Sequence, residues 1–172
     1  LLSNSAVLYT EMISADALIF GPRHNLLVFN NEELPCVLQL GGNDPKKLAL
    51  AAQYGQDYGY SKINLNIGCP SNRVQSGAFG ACLMKDPKLV AECVKTIQNN
   101  CQIPITIKCR IGVDDMHEVQ GLDEFIDEVS ENGIDLFVIH ARKALLNGLS
   151  PKQNREIPPL NYNRVGLLKQ RR

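Results

Sequence analysis

One cysteine in this sequence stands where it could take part in a reaction. Cys69 follows Gly68, a residue that lets the backbone approach a ligand closely, and precedes Pro70, which stiffens the turn that presents the thiol. Ordinary thiols are mostly protonated at neutral pH, so Cys69 could donate a proton as readily as it could attack as a nucleophile. Cysteine is also common as a small buried hydrophobic residue, but a position in a loop favours the reactive role.

Polar side chains recur at the ends of five apolar, β-rich runs. The set consists of Glu11, Gln39, Asn66, Lys108 with Arg110, and His140 with Arg142. Each member alone could cap a turn or be a hydrogen-bonded core residue, but capping does not account for all five ends together. One histidine and one carboxylate are a poor ligand set for a metal ion. The set therefore predicts a polar site, without a metal, at which these ends converge.

The elements that must position these side chains are short strands that alternate with helices. The predicted strands are Val7–Glu11, Val37–Leu40, Ile63–Ile67, Ile105–Cys109 and Leu136–His140. Two helices are predicted to begin at Asp44-Pro45 and at Asp86-Pro87, where the aspartate can cap the first turn. A third helix carries an apolar face around Phe125 and stops at Asn132-Gly133. This alternation indicates parallel strands joined by crossover helices.

Two architectures fit such an alternation, an open doubly wound sheet or a (β/α)₈ TIM barrel. Barrel enzymes hold their active sites at the carboxyl ends of the strands, which is where the polar set lies. A complete barrel typically needs about 250 residues and eight strands. With about five strands in 172 residues and no internal linker, the chain is predicted to be an α/β protein forming an incomplete TIM barrel.

Composition excludes some classes of protein. The chain is 44% hydrophobic, and no apolar run approaches the roughly 18 residues of a membrane span. Its first residues lack an initiator Met and a signal-peptide pattern, so we expect an interior cut of a longer chain. The six cysteines include no Cys-x-x-Cys pair, and we expect reduced thiols in an intracellular compartment.

Charge is distributed unevenly although the net charge is zero. From Arg142 to Arg172 there are eight Lys or Arg and one acid, Glu156, which gives a net charge of +7. The rest of the chain carries 10 basic and 17 acidic residues, a net charge of −7. The split is consistent with a basic face for an anionic partner or with an ordinary solvated helix end at Lys169-Arg171-Arg172.

Several short motifs resemble those of one enzyme family. They are Leu8-Tyr9-Thr10-Glu11-Met12, Leu38-Gln39-Leu40-Gly41-Gly42, Asn64-Leu65-Asn66-Ile67-Gly68-Cys69-Pro70-Ser71, Lys108-Cys109-Arg110-Ile111-Gly112 and His140-Ala141-Arg142-Lys143-Ala144. In this order and spacing the chain resembles tRNA-dihydrouridine synthases. Gly148-Leu149-Ser150 and the stretch Asn154-Arg155-Glu156-Ile157-Pro158-Pro159-Leu160 resemble the A type of that family.

The resemblance implies reduction of uridine to 5,6-dihydrouridine in the tRNA D-loop, at positions 20 and 20a. It implies FMN in the barrel mouth, NADPH as the reductant, and a uridine flipped out of its stack to lie against the flavin. Hydride would pass to C6 of uracil while Cys69, the catalytic residue, protonates C5. The expected protein is a monomer that binds tRNA and no membrane, in the cytoplasm or an organelle.

The same resemblance assigns roles to six further residues. Gln39, Lys108 and His140 are expected to contact the flavin, where polar groups can stabilise charge on the reduced ring. Asn66 and Arg155 are expected to hold uracil, with Arg142 as a further substrate contact. Residues 1–172 would form part of the FMN-binding barrel, without the last strands that hold the FMN phosphate and without the C-terminal helical tRNA-binding domain.

Two other functions fit parts of the sequence. The first is another FMN-dependent TIM-barrel oxidoreductase that acts on a small molecule, although a small substrate needs no long basic loop before Pro158. The second is an inactive, truncated RNA-binding relic. The presence of Cys69, Asn66 and Lys108 argues against the relic, because an inactive protein has no need of them.

Overall fold

Parallel strands and helices alternate through residues 5–171, the part of the chain that the computed structural model describes. The strands are β1 (Leu8–Tyr9), β2 (Ile13–Ser14), β3 (Cys36–Gly41), β4 (Lys62–Ile67), β5 (Ile105–Arg110) and β6 (Phe137–His140). The helices are α1 (Ala15–Phe20), α2 (Arg23–Leu27), α3 (Pro45–Asp57), α4 (Asn72–Ser76), α5 (Pro87–Asn100), α6 (Gln120–Ser130), α7 (Gln153–Glu156) and α8 (Tyr162–Arg171). Two 3-10 helices lie at Asn31–Glu33 and Gly80–Lys85.

The sheet has the order β1-β3-β4-β5-β6, and every pair is parallel. β2 also pairs with β3, so β1 and β2 together occupy a single strand position. Five strand positions curl into half of a barrel, with α1, α3, α5 and α6 in contact with one another in this order. The predicted fold, an incomplete TIM barrel, is confirmed.

The first strand is shorter than the sequence predicts. The prediction was Val7–Glu11, whereas β1 ends at Tyr9 and pairing resumes only at β2. The cause is the side chain of Thr10, whose hydroxyl accepts a hydrogen bond from Gln39 N at 3.0 Å. A hydroxyl thus replaces a backbone carbonyl in the ladder, and the regular strand pattern stops there. The other strands match their predicted ranges to within one residue at each end.

The predicted helix caps are present. The carboxylate of Asp44 accepts from Lys46 N and Lys47 N at 2.9 and 3.0 Å, and that of Asp86 accepts from Leu89 N at 3.1 Å. Each cap satisfies amide groups that have no partner inside the helix. Gly133 adopts a φ of +86° after the end of α6, as expected for a glycine stop signal.

The two faces of the sheet differ in chemistry. Fully buried apolar side chains such as Leu38, Leu65 and Ile107 pack against the helices and form the core. The opposite face, which is the inside of the barrel, carries Gln39 opposite Asn64 and Thr106 in the register of β3, β4 and β5. This polar face leads to the carboxyl ends of the strands and positions the candidate site.

The lengths of the helices and the state of the cysteines complete the description of the fold. None of the helices within residues 5–171 is long and apolar enough to cross a membrane. All six cysteines lie in the described part of the chain, and all six are free thiols. Four of them, Cys36, Cys93, Cys101 and Cys109, are buried, so the apolar role that is common for cysteine applies to most of the set.

Candidate active site

A relay of side-chain hydrogen bonds crosses the polar face of the sheet. The hydroxyl of Thr106 donates to Ile63 O at 3.2 Å and accepts from Asn64 Nδ2 at 2.9 Å. Asn64 Oδ1 accepts from Gln39 Nε2, and Gln39 Oε1 accepts from Asn66 Nδ2, both at 2.9 Å. In each of these bonds a donor faces an acceptor. The positions of the amide oxygen and nitrogen are therefore determined for Gln39, Asn64 and Asn66.

The relay ends on the loop that carries Cys69. Asn66 Oδ1 accepts from Gly68 N at 3.1 Å and from Cys69 N at 3.0 Å. The thiol of Cys69 lies 3.4 Å from the hydroxyl oxygen of Ser71. These bonds occupy the oxygen of Asn66 and leave one hydrogen of its amide nitrogen for a ligand, and Gln39 Nε2 keeps one hydrogen in the same way.

A glycine on the following segment fixes the path of this loop. Ala81 N donates to Cys69 O at 2.9 Å, which draws the two segments together. Gly80, just before it, has a φ of +76°, and a β-carbon at this position would lie 2.6 Å from Cys69 O and 2.4 Å from Val74 Cγ1. Only glycine combines this backbone conformation with such a close approach.

Arg110 belongs to the predicted set of polar strand ends, but its guanidinium serves the protein's own backbone. It is 4% exposed. Its Nε donates to Gly68 O at 3.1 Å, and its Nη1 donates to Lys143 O at 3.2 Å and to Asn154 O at 2.8 Å. Through these atoms Arg110 orders the loops around the site.

Asn154 orders the segment that carries Arg155. It is fully buried, its Oδ1 accepts from Leu145 N at 2.8 Å, and its Nδ2 donates to Leu145 O at 2.9 Å. The short helix α7 then presents Arg155 exposed to solvent. Sequence reasoning gave Asn154 no role of its own, because nothing in its neighbourhood along the chain marks it as buried.

Lys108 and His140 lie beside the relay. Lys108 is half-buried on β5 opposite Asn66, and His140 on β6 lies opposite Arg110. Burial lowers the pKa of Lys108. Burial, together with nearby Arg110, Lys108 and other arginines, lowers the pKa of His140 to about 4, so this imidazole is neutral at physiological pH. A site with several cations and a neutral histidine suits an anionic or electron-rich ligand.

Arg142 and Arg155, the two arginines nearest after β6, differ in exposure and in hydrogen bonding. Arg142 is half-buried, and its Nη1 donates to Pro158 O. Arg155 is exposed and contributes, with Arg142, to the positive field at His140. Both therefore lie at the mouth, but Arg155 has more freedom to reach a ligand.

Within residues 5–171, the basic excess found in the sequence divides between two places, and Arg172 lies outside the described residues. On α8, Arg164 is buried and pairs with Asp123 of α6, and Arg171 pairs with Asp127 through contacts of 2.7 and 2.9 Å. These cations attach α8 to α6 and do not form a free basic face. The part of the excess that faces the site is the part around Arg155.

A cleft of about 610 Å³ is lined in part by Ser71, whose hydroxyl is the partner of the Cys69 thiol. Its other polar lining includes Thr10, Glu11 and Arg73, and the ring of Phe79 contributes an apolar wall. Glu11 therefore lies on this cleft, and it takes no part in the relay. The cleft gives room for a ligand larger than a single ring next to the cysteine loop.

The fold and the site together define an α/β half-barrel with a polar, positively charged site at the carboxyl ends of its strands, an arrangement typical of TIM-barrel enzymes. A family model described as Dihydrouridine synthase (Dus) matches residues 2–172. The chain belongs to the dihydrouridine synthase family.

The names of similar curated proteins agree with this family assignment. The chain is 55% identical over 168 residues to a tRNA-dihydrouridine(20/20a) synthase of Synechocystis sp., covering 98% of this chain and 50% of that protein. Proteins of the same name from Shewanella oneidensis and Xanthomonas campestris pv. campestris are 53% and 54% identical, covering 98% and 100% of this chain and 50% and 51% of those proteins. The chain spans about half the length of the curated relatives it matches.

Proposed function

We propose that this chain supplies half of the catalytic barrel of a tRNA-dihydrouridine synthase, which reduces uridine to 5,6-dihydrouridine at D-loop positions 20 and 20a with FMN and NADPH. The observation that carries the proposal is the contact between Asn66 and Cys69. One side chain both belongs to the amide relay of the barrel interior and holds the backbone of Cys69, in the loop that follows β4. A base held by Asn66 would therefore meet the Cys69 thiol.

The residues at the mouth fit a flavin. Gln39 and Lys108 offer N–H donors, and neutral His140 offers a donor or an acceptor, for the nitrogen and oxygen atoms of the ring. The positive field around them favours negative charge on a reduced ring. Were FMN held by these residues and reduced by NADPH, it would supply hydride for C6 of uracil.

The residues of the Cys69 loop fit a uracil. The remaining hydrogen of Asn66 Nδ2 can donate to a carbonyl oxygen of the base, and the thiol of Cys69 can donate its proton to C5. A uridine reaches such a position only when it is flipped out of its stack, which requires room beside the loop. The cleft at Ser71 provides such room, and the exposed Arg155 can supply a second contact to the base.

The division between flavin contacts and tRNA contacts is testable in a full-length protein. We define the Synechocystis chimera as the Synechocystis relative in which this chain replaces the matching half. Lys108→Ala and Gln39→Ala are expected to weaken FMN binding, whereas Arg155→Ala is expected to keep FMN and raise KM for tRNA. A lost charge-assisted hydrogen bond corresponds to roughly 10- to 100-fold in affinity. Flavin content after desalting and steady-state kinetics measure the two effects.

Lys95→Ala serves as the matched control, because Lys95 is an exposed cation on α5, outside the strand ends. It should leave both flavin content and KM unchanged. Full flavin retention in Lys108→Ala and Gln39→Ala, or an unchanged KM in Arg155→Ala, would contradict the assignment.

The relay makes a second prediction, on stability. Thr106→Val in the chimera removes the hydroxyl that accepts from Asn64 Nδ2, and Asn64 is fully buried. Leaving that donor unpaired is expected to lower the free energy of unfolding by about 1–3 kcal/mol. Thr106→Ser keeps the hydroxyl and is expected to lose less than about 1 kcal/mol, the contribution of one buried methyl group. Urea unfolding of both variants measures the difference, and an equal loss in the two would show that the hydroxyl does not matter.

A further inference from the structure

Two loops at the mouth are joined by one side chain. We name them the Cys69 loop (residues 68–71) and the Arg155 segment (residues 141–156). Arg110 donates from Nε to Gly68 O of the Cys69 loop and from Nη1 to Lys143 O and Asn154 O of the Arg155 segment. Because a guanidinium is planar and rigid, these bonds fix the two loops relative to each other.

A second side chain makes the same connection from a different element. Gln75 on α4 uses its amide nitrogen to donate to Pro70 O of the Cys69 loop at 2.8 Å and to Leu146 O of the Arg155 segment at 2.9 Å. Both hydrogens of one amide group are thus spent on the link. Two independent bridges between the same pair of loops indicate that their relative position matters.

The bonds of Arg110 also explain why this position holds an arginine. The side chain is almost fully buried, and the hydrogen bonds described for it go to backbone carbonyls that would otherwise need partners of their own. A lysine carries the same charge but offers a single nitrogen, which cannot reproduce the spread of a guanidinium fork. Arginine is therefore required for its shape as well as for its charge.

We propose that Arg110 is a positioning residue that holds Cys69 and Arg155 in one fixed arrangement, so that both engage the same uracil. The inference rests on the proposed function. Its bonds end at Gly68, one residue before Cys69, and at Asn154, one residue before Arg155. A displacement of either acting group by about 1 Å can cost about 10²-fold in rate, so a link this close to both has a direct effect on turnover.

The kinetic test compares Arg110→Lys, Arg155→Ala and the double variant in the Synechocystis chimera. Arg110→Lys is expected to lower kcat/KM for tRNA by about 10²-fold, through both a lower kcat and a higher KM, while FMN content stays unchanged. In that background Arg155→Ala should add little, because Arg155 is already displaced. Fully additive effects of the two substitutions, or an effect of Arg110→Lys that follows loss of FMN, would overturn the proposal.

A structural test needs no turnover. Arg110→Lys should speed amide hydrogen exchange in the Arg155 segment and change the rate at which iodoacetamide alkylates Cys69, each read by peptide mapping. Arg171→Lys, a matched change on α8, should alter neither. Unchanged exchange and alkylation in Arg110→Lys would contradict the link.

Failure of the proposed function can be distinguished from failure of the inference about Arg110. If the unsubstituted chimera forms no dihydrouridine, the proposed function fails, and hydrogen exchange and alkylation still decide whether Arg110 joins the two loops. If Arg110→Lys does not fold, Gln75→Leu takes its place, because it removes only the second bridge. It must also speed amide hydrogen exchange in the Arg155 segment and change the rate at which Cys69 is alkylated. Failure of Gln75→Leu to affect either loop would then count against the coupling.

Discussion

Cys69→Ala in the Synechocystis chimera is expected to lower dihydrouridine formation by about 10²–10⁴-fold, the usual cost of removing a general acid, while FMN stays bound. The structure gives the reason for both halves of this result. The thiol lies on a loop whose backbone is held by Asn66 and by Ala81, so alanine can adopt the same conformation. The residues proposed to contact FMN lie on β3, β5 and β6 and do not depend on the sulfur atom.

Cys82→Ala is the matched control for this experiment. Cys82 is also half-buried, but its thiol donates to Phe79 O at 3.1 Å, and burial raises its pKa. Its removal should leave the rate of dihydrouridine formation nearly unchanged. Turnover by Cys69→Ala at the rate of the unsubstituted chimera would remove Cys69 from the mechanism.

The 172 residues expressed alone are expected to be poorly folded and to lose FMN on desalting. Within residues 5–171 both β1 and β6 have a neighbour on one side only, which leaves backbone N–H and C=O groups open to aggregation. Leu136 and Val138 at the β6 edge are 46% and 37% exposed, and a groove of about 530 Å³ is lined in part by Leu136, Phe137 and Ile139. In a closed barrel the remaining strands would cover these surfaces and fill the interior.

The comparison for this prediction is the chimera, in which the barrel can close. The visible absorbance of each protein after addition of FMN and desalting measures cofactor retention, and denaturant unfolding measures cooperativity. A yellow, soluble monomer of 172 residues with a cooperative transition would show that the half-barrel is self-sufficient.

Most of the strands and the helices α3, α5 and α6 could be predicted from the sequence because their signals are local. A buried run such as Ile63–Ile67 has the length and composition of a strand, and Asp44 and Asp86 mark helix starts by chemistry that acts within three residues. The break at Thr10 could not be predicted, since it depends on a hydrogen bond to Gln39, 29 positions away. The short helices α4 and α7 contain too few residues for a periodic pattern.

The site shows the same limit. Parallel strands bring their carboxyl ends to one edge, so the meeting of Gln39, Asn66 and Lys108 follows from the fold. Whether a polar side chain faces a ligand or the protein's own backbone depends on groups far along the chain. Arg110 is a charged residue at the end of a strand, as a ligand contact would be, yet its partners are carbonyls up to 44 positions away. Arg171 pairs with Asp127, likewise 44 positions away, so part of the basic excess is paired with acidic side chains of the protein itself.

Dihydrouridine formation is to be assayed with the Synechocystis chimera, FMN, NADPH and an unmodified tRNA transcript. After digestion, mass spectrometry locates dihydrouridine, with the unaltered Synechocystis relative assayed in parallel. We expect dihydrouridine at D-loop positions 20 and 20a, and its loss in Cys69→Ala. Absence of dihydrouridine from a chimera that binds FMN and oxidises NADPH would contradict the proposal that this half-barrel carries the catalytic residues for tRNA uridine reduction.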